Sequence, residues 1–394
     1  MHLIGFKKNF PRTFNILRKV YGAFKYREIN NYFKTNYQKT ALLSYIAYPF
    51  ARSSDLAHTN SYEAISHAQI MKELGYNVDV VDYDSAKTPN FRKYDLLVGF
   101  GDAFQKYFES GCDHIKTIYY GTGMHVCYAN HATLGRVRDV HTRKGKWLCK
   151  SSRFVDKTWT HQTLLVDGMI VLGNDVSRQS YTKFYNGIVR SVPAPFYRVL
   201  NGREILATRD VAVNKSFLWF GSSGLIHKGL DLVLDFFSKR PDLTLHVCGP
   251  IDGEPDFKNV YYKELCETKN ILNHGFVDIS SVAFAEILRD CGFLISPSCS
   301  EGGAAGILNA IGNGALIPIV TKETTISTGN QIWINELTEK GIKDAVETAL
   351  GLSGDEILKS QGLNLDYVLR HHSKETYYNE LKQSYKCILG SDKR

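Results

Sequence analysis

Several classes of protein are excluded by what this chain has little of. Its eight cysteines (Cys112, Cys127, Cys149, Cys248, Cys266, Cys291, Cys299 and Cys387) form no Cys-x-x-Cys pair and no metal-finger spacing. Several lie in apolar runs, so reduced core thiols in a cytosolic protein are expected. No run of about 18 apolar residues occurs, so no transmembrane helix is expected. The first residues lack the apolar core of a secretory signal. There is no G-x-x-x-x-G-K-[ST] loop. The stretch GFGDAF (99–104) is not a dinucleotide fingerprint, because Phe104 stands where the third glycine belongs. Acidic residues are scarce in one place: residues 1–39 hold nine Lys and Arg but a single acid, Glu28. That excess of eight equals the whole formal net charge of +8, so the remainder is electrically balanced. A neutral body with one basic arm argues against a broad nucleic-acid surface, which spreads its charge over a folded face.

What remains is ordinary for a globular protein: 394 residues, 43% hydrophobic and 22% charged, enough for two domains with separate cores. In the arm, Phe10, Phe14, Leu17, Val20, Tyr21 and Phe24 fall on one side of a 3.6-residue wheel. Arg12, Arg18, Lys19, Lys25 and Arg27 surround them, and Pro11 suits a first helical turn. Two readings stay open: an interfacial anchor on a membrane surface, or a helix packed on the protein's own body with its charges solvated.

From Ala41 onward the pattern alternates. Strands are expected at 41–48, 77–83, 94–100, 115–120 and 167–173, with helical pieces between them, the clearest at 61–74. A second series follows at 216–220, 243–249, 271–276, 292–298 and 315–320, with helices at 229–238, 260–268 and 281–291. Such alternation implies parallel sheets covered on both faces. Pro193 and Pro195 read as a hinge between the halves. Residues 136–161 are basic and weakly periodic, which leaves helix and surface loop equally open. Tyr377, Leu381, Tyr385 and Ile388 predict a final amphipathic helix.

The stretch SPSCSEGGAAGILNAIGNGALIPIV (296–320) concentrates the candidate chemistry. Gly302, Gly303 and Gly306 leave the backbone bare for a close ligand. A helix starting near Ala304 points its first amides at that place, which favours an anion. Glu301 beside it suits a partner with hydroxyls as well as phosphates, such as a sugar nucleotide. Upstream, FGSSGLIHKG (220–229) brings glycines, serines and then Lys228, a point cation for phosphate, after a strand. Asp82 and Asp84 form a D-x-D pair, but an isolated one, and no metal is expected. Two doubly wound halves place a ligand at strand ends, in a cleft between them.

Taken in order, FLWFGSSGLIHKGLDLVLDFF, LTLHVCGP, ILNHGFVD and FLISPSCSEGGAAGILNAIGNGALIPIV resemble the nucleotide-binding half of retaining GT-B glycosyltransferases. The family is the large one with a Glu-x7-Glu motif, which includes bacterial lipopolysaccharide and capsule glycosyltransferases. The resemblance covers residues 216–321 well; over 41–200 it rests on element order. It implies that Lys228 contacts the donor diphosphate and Glu301 the donor sugar. The backbone at Gly302 and Gly303 would hold sugar hydroxyls, Gly306 and Ile307 would offer amides to the distal phosphate, and Phe276 and Val277 would lie against the base. His125, after the fourth strand, matches the family's cleft histidine, although a lone histidine is often structural. Two positions depart from the pattern. The arginine that accompanies the lysine belongs near Ser222 or Ser223, and neither is basic. The second acid of Glu-x7-Glu is Asn309, so a ribose contact there lacks charge assistance, as a deoxynucleotide donor would permit.

The resemblance thus implies two Rossmann-like α/β domains. The expected division is a basic arm over 1–39, an acceptor domain over 40–195, a nucleotide-sugar domain over 196–370, and a C-terminal helix over 371–394 with the option of packing back on the first domain. The expected activity is metal-independent transfer of a hexose from a nucleotide sugar to a hydroxyl of a glycan or lipid-linked acceptor, with retention, in cell-surface polysaccharide synthesis. No cofactor is expected beyond the nucleotide sugar, and no nucleic-acid partner. The expected location is cytoplasmic, with peripheral membrane contact through residues 1–39 as an option. The alternatives are a GT-B sugar-nucleotide epimerase and a non-catalytic GT-B partner protein.

Overall fold

The computed structural model describes residues 28–51, 59–157, 159–209 and 214–390. The basic helix expected around residues 10–24 lies outside them. The strands follow the apolar runs. β1 (Lys39–Tyr45), β2 (Tyr76–Asp82), β3 (Leu96–Gly99), β4 (Lys116–Gly121), β5 (Gly168–Leu172) and β6 (Ile188–Val192) form one six-stranded sheet, ordered β2-β1-β3-β4-β5-β6. β7 (Ser216–Phe220), β8 (Thr244–Cys248), β9 (Ile271–Gly275), β10 (Phe293–Ser296), β11 (Ile317–Val320) and β12 (Ile332–Trp333) form the other, ordered β12-β11-β10-β7-β8-β9. Pairing is parallel throughout the second sheet and among β1, β2, β3 and β4, with Ala41 opposite Val78 and Phe217 opposite Phe293. Parallel strands are covered on both faces, which is why inner strands such as β3 and β10 are fully buried, nearly unbroken apolar runs, whereas the edge strand β9 exposes Leu272, Asn273 and His274.

The helices are α1 (Asn60–Glu73), α2 (Asp102–Glu109), α3 (Val126–Lys144), α4 (Trp159–Leu165), α5 (Asp175–Thr182), α6 (Gly202–Ala207) and α7 (Leu230–Phe237). They continue with α8 (Pro255–Val260), α9 (Tyr262–Cys266), α10 (Val282–Asp290), α11 (Ala305–Gly314), α12 (Glu339–Leu350), α13 (Gly354–His371) and α14 (Lys374–Leu389). None of the described helices is long and apolar enough to cross a membrane. The described residues form two compact units, one of 28–120 with 165–168 and the other of 121–164 with 169–390.

In the first unit, residues 28–38 run along β2. Ile29 and Val80 exchange backbone hydrogen bonds of 2.9 and 2.8 Å, and the Tyr32 amide donates to the Val78 carbonyl at 2.9 Å. The Asp79 carboxylate is satisfied from three sides, by the Asn31 amide (2.7 Å), the Lys93 ammonium (2.6 Å) and the Tyr94 hydroxyl (2.9 Å). Glu63 is buried on α1 and accepts from the hydroxyls of Tyr45 (3.0 Å), Tyr120 (2.9 Å) and Thr59 (3.1 Å). Burial raises its pKa against those hydrogen bonds.

The second unit has an aromatic centre. Phe217 stacks on Phe293 and meets Phe237 edge-on, each with ring centroids 5.1 Å apart. The four residues expected on the inner face of the last helix, Tyr377, Leu381, Tyr385 and Ile388, are fully buried on α14. Residues 136–161 resolve into the end of α3, a left-handed stop at Gly145 (φ 66°), and a short 3-10 turn at Cys149–Ser151. The weak periodicity of α3 has a physical reason: much of its inner face is ionic. Arg136 reaches Asp231 on α7 at 2.6 Å, Arg143 pairs with both Asp231 and Asp235, and Lys144 meets Asp235 at 2.6 Å. Cys248, Cys291 and Cys299 are buried, whereas Cys127, Cys149, Cys266 and Cys387 are exposed; all eight are free thiols.

Candidate functional site

The site is assembled in the second unit from three loops. The first follows β7. The amides of Gly224 and Leu225 donate to the Glu254 carboxylate, which fixes the turn before Lys228. Gly229 then starts α7 at φ 70°, and a Cβ there would lie 2.2 Å from the Pro297 carbonyl oxygen. A larger residue would force Lys228 away from the loop after β10.

That second loop carries Glu301. Its Oε1 receives the Lys228 ammonium and the Ser298 hydroxyl (3.1 Å), and its Oε2 lies 3.7 Å from the Arg153 guanidinium. Burial alone would raise the carboxyl's pKa. Lys228, Arg153 and the His227 ring outweigh burial and bring it down to about 2, so the group is an anion across the neutral range. His227 sits behind it with 2% exposure. Its Nε2 faces the Ser300 carbonyl, which only accepts, so Nε2 carries the proton and Nδ1 accepts from the Thr133 hydroxyl at 2.8 Å. Burial lowers the ring's pKa to about 4, which keeps it neutral in this role.

Gly302 and Gly303 are sterically required. A Cβ at Gly302 would fall 2.2 Å from the Thr122 carbonyl oxygen, in the third loop, after β4. Gly303 has φ 71°, donates its amide to the Thr325 hydroxyl at 2.6 Å, and leaves no room beside Ala194. Ala304 is left-handed (φ 37°) and offers no side-chain cap to α11. The first amides of a helix have no acceptor within it, so this end is partially positive and open to an anion. Of the two residues expected to present amides, Ile307 donates to the Ala304 carbonyl at 2.9 Å. Gly306 has ordinary space around it, the nearest atom to an added Cβ being Phe220 Cδ1 at 3.7 Å.

The other expected residues have varied fates. Ser222 and Ser223 are exposed at the turn. Phe276 is 69% exposed and Val277 half-buried after β9, an arrangement open to a flat ring. Asn309 is turned to the chain itself, its Oδ1 accepting from the Tyr197 amide at 2.7 Å. His125 caps α3 by accepting from the Cys127 amide at 3.3 Å. Its Nε2 meets the Thr163 hydroxyl at 3.0 Å and its ring stacks on Phe184, with 2% exposure and a pKa that burial lowers to about 4. The loop that bears it touches Gly302 through Thr122, but both ring nitrogens of His125 are engaged elsewhere. Among the described residues no three His, Cys, Asp or Glu side chains are grouped to hold a metal ion. Arg153 also faces the Glu301 carboxylate, and no motif in the sequence singles it out beyond the basic character of residues 136–161.

No protein-family model matches the chain, and no curated protein matches it by sequence. Solved structures do match in shape. Sucrose-phosphate synthase from Thermosynechococcus elongatus is 12% identical with a TM-score of 0.62, covering 90% of this chain and 100% of that one. The α,α-trehalose 6-phosphate synthase of Burkholderia multivorans is 11% identical with a TM-score of 0.57, over 90% of this chain and 99% of that one. Anabaena HepE, solved in complex with UDP and glucose, is 9% identical with a TM-score of 0.55, over 89% and 100%. These neighbours are GT-B glycosyltransferases. At such identities the likeness establishes architecture alone, and the architecture is the two-domain α/β fold of GT-B proteins.

Proposed function

We propose that the chain is a glycosyltransferase that moves a sugar from a nucleotide-sugar donor to a hydroxyl of a glycan or lipid-linked acceptor, with retention and without a metal. One observation carries the reading: the Lys228–Glu301 ion pair beside Gly302, Gly303 and the uncapped start of α11. An ammonium and a helix start suit a departing diphosphate, where charge develops in the transition state. An ionised carboxylate beside bare backbone suits sugar hydroxyls. The exposed ring of Phe276 suits a base. That HepE was solved with UDP and glucose supports the donor class. The basic excess of residues 1–39 supports an acceptor at the cytoplasmic face of a membrane, as in cell-surface polysaccharide synthesis.

A thermal-shift screen of UDP, GDP, ADP, CMP and dTDP sugars tests this, because a ligand that binds the folded state raises the melting temperature by mass action. One nucleotide class should stabilise the protein. Lys228→Ala should then lower kcat by roughly a hundredfold or more, the scale on which single transition-state donors act. Silence across the panel would favour a non-catalytic partner protein, and isomerisation of the donor without an acceptor would favour an epimerase.

A further inference from the structure

The Lys228 ammonium engages one oxygen of Glu301, and the Arg153 guanidinium faces the other at 3.7 Å. Among these three groups one carboxylate between two cations leaves one positive charge over, and the nearby Glu254 carboxylate is already occupied by the Gly224 and Leu225 amides. At 3.7 Å the guanidinium makes no hydrogen bond to Glu301. Its side chain is 52% exposed, so its planar fork of donors is available to an arriving anion. A surface ion pair at such a distance adds little to stability, so stability does not explain the placement.

The segment that carries it is nevertheless held firmly. The Lys150 and Ser151 amides donate to Asp256 at 2.9 and 3.3 Å. Four residues on, the Val155 amide donates to Asn130 Oδ1 at 2.9 Å, and Asn130 Nδ2 donates back to the Val155 carbonyl at 2.7 Å. Arg153 stands between these two anchors, with its stem over the turn after β7: a Cβ added to Gly224 would lie 3.3 Å from Arg153 Cδ. It therefore reaches, from a different segment, the turn where Ser222 and Ser223 supply no charge.

We propose that Arg153 is the second cation of the donor site, binding the diphosphate together with Lys228. This rests on the nucleotide-sugar reading and extends it to a residue outside the Lys228 turn. In the transfer, the bond from the anomeric carbon to the diphosphate oxygen breaks and its electron pair stays on the diphosphate. The acceptor oxygen bonds the anomeric carbon and gives up its proton to the leaving diphosphate. Arg153 exchanges no proton and balances the charge that forms on the leaving group.

The test uses the full chain and compares nucleoside diphosphate with monophosphate of whichever base among uridine, guanosine, adenosine, cytidine and thymidine the wild type binds, by calorimetry. Arg153→Ala should weaken the diphosphate roughly tenfold or more, the scale of a lost bidentate charge-assisted contact, and leave the monophosphate within about twofold. Arg153→Lys should fall between. Adding Ser223→Arg to Arg153→Ala should restore diphosphate affinity, which no purely structural role of the 149–155 turn would allow. Equal diphosphate affinity in wild type and Arg153→Ala overturns this proposal and leaves the function intact. Failure of the wild type to bind any of the nucleotides overturns both.

Discussion

Residues 296–320 and the turn at 149–155 both reach Glu301, the first through its own backbone, the second through side chains far away in sequence. In the glycine-rich stretch the conformation is set locally: Gly303 and Ala304 have positive φ, and Gly302 is squeezed against the Thr122 carbonyl. The 149–155 turn has no such signature. Asp256 and Asn130, about a hundred and about twenty-five positions away, decide where Arg153 stands. A site built both ways has one part that tolerates no added atom at Gly302 or Gly303 and another that tolerates change until its anchors are cut.

The strongest way to break the comparison is Gly302→Ala. Its Cβ would lie 2.2 Å from the Thr122 oxygen and 2.8 Å from Gly123 Cα, both backbone atoms that no rotamer change relieves. Overpacking of this kind costs about 1–3 kcal/mol or more, and here the shift falls on the residue next to Glu301. The variant should melt several degrees lower and, under the proposed function, lose the thermal shift that a nucleotide gives the wild type. Gly306→Ala is the matched control: with 3.7 Å of space and a helical position it should keep both. A Gly302→Ala protein that melts and binds like wild type would show that the local backbone does not shape this loop.

The same contrast explains how much was legible beforehand. Lys228, Glu301 and the paired glycines, which the structure brings together, stand out as candidates in the sequence because glycine spacing, strand ends and a helix start are local signals. Fold class could be read because alternating apolar runs are local too. Arg153 could not, since nothing near residue 153 announces that Asp256 will hold its neighbours. The α3 helix was obscure for a related reason, its inner face being Arg136, Arg143 and Lys144 paired with α7 and not an apolar stripe. His125 is a different case. Its position after a strand fitted a cleft residue, yet Cys127, Thr163 and Phe184 use its ring as a helix cap and packing element.

Cutting an anchor sharpens the second half of the comparison. Asp256→Ala removes the acceptor for the Lys150 and Ser151 amides while leaving Arg153 in place. Under the proposed function, kcat/KM should fall roughly tenfold, about 1.4 kcal/mol, with the loss expressed through Arg153. A double-mutant cycle makes that explicit. In the Arg153→Ala background, Asp256→Ala should cost activity little more, because the two changes remove one contact. Additive losses would mean that Asp256 acts on the site by another route, such as the turn held by Glu254.

The smallest effect is expected inside the glycine-rich stretch, at a residue whose position invites a functional role. Asn309 lies on α11 eight positions after Glu301, where the resemblance leads one to expect a second acid, but its Oδ1 is committed to the Tyr197 amide, and Asn313 similarly accepts from Val199 and Leu200. Asn309→Asp keeps an acceptor of the same length for Tyr197. It should change affinity for a ribonucleoside diphosphate by no more than about threefold, as expected for a residue already paired within the chain. Asn309→Leu leaves the Tyr197 amide without its acceptor, and the cost of roughly 1–3 kcal/mol should appear in stability, not in nucleotide affinity. Comparing ribo- and 2′-deoxyribonucleotides on the wild type closes the argument. With no charged grip on the ribose, the two should bind alike. A strong preference for the ribonucleotide that Asn309→Leu abolishes would return Asn309 to the donor site.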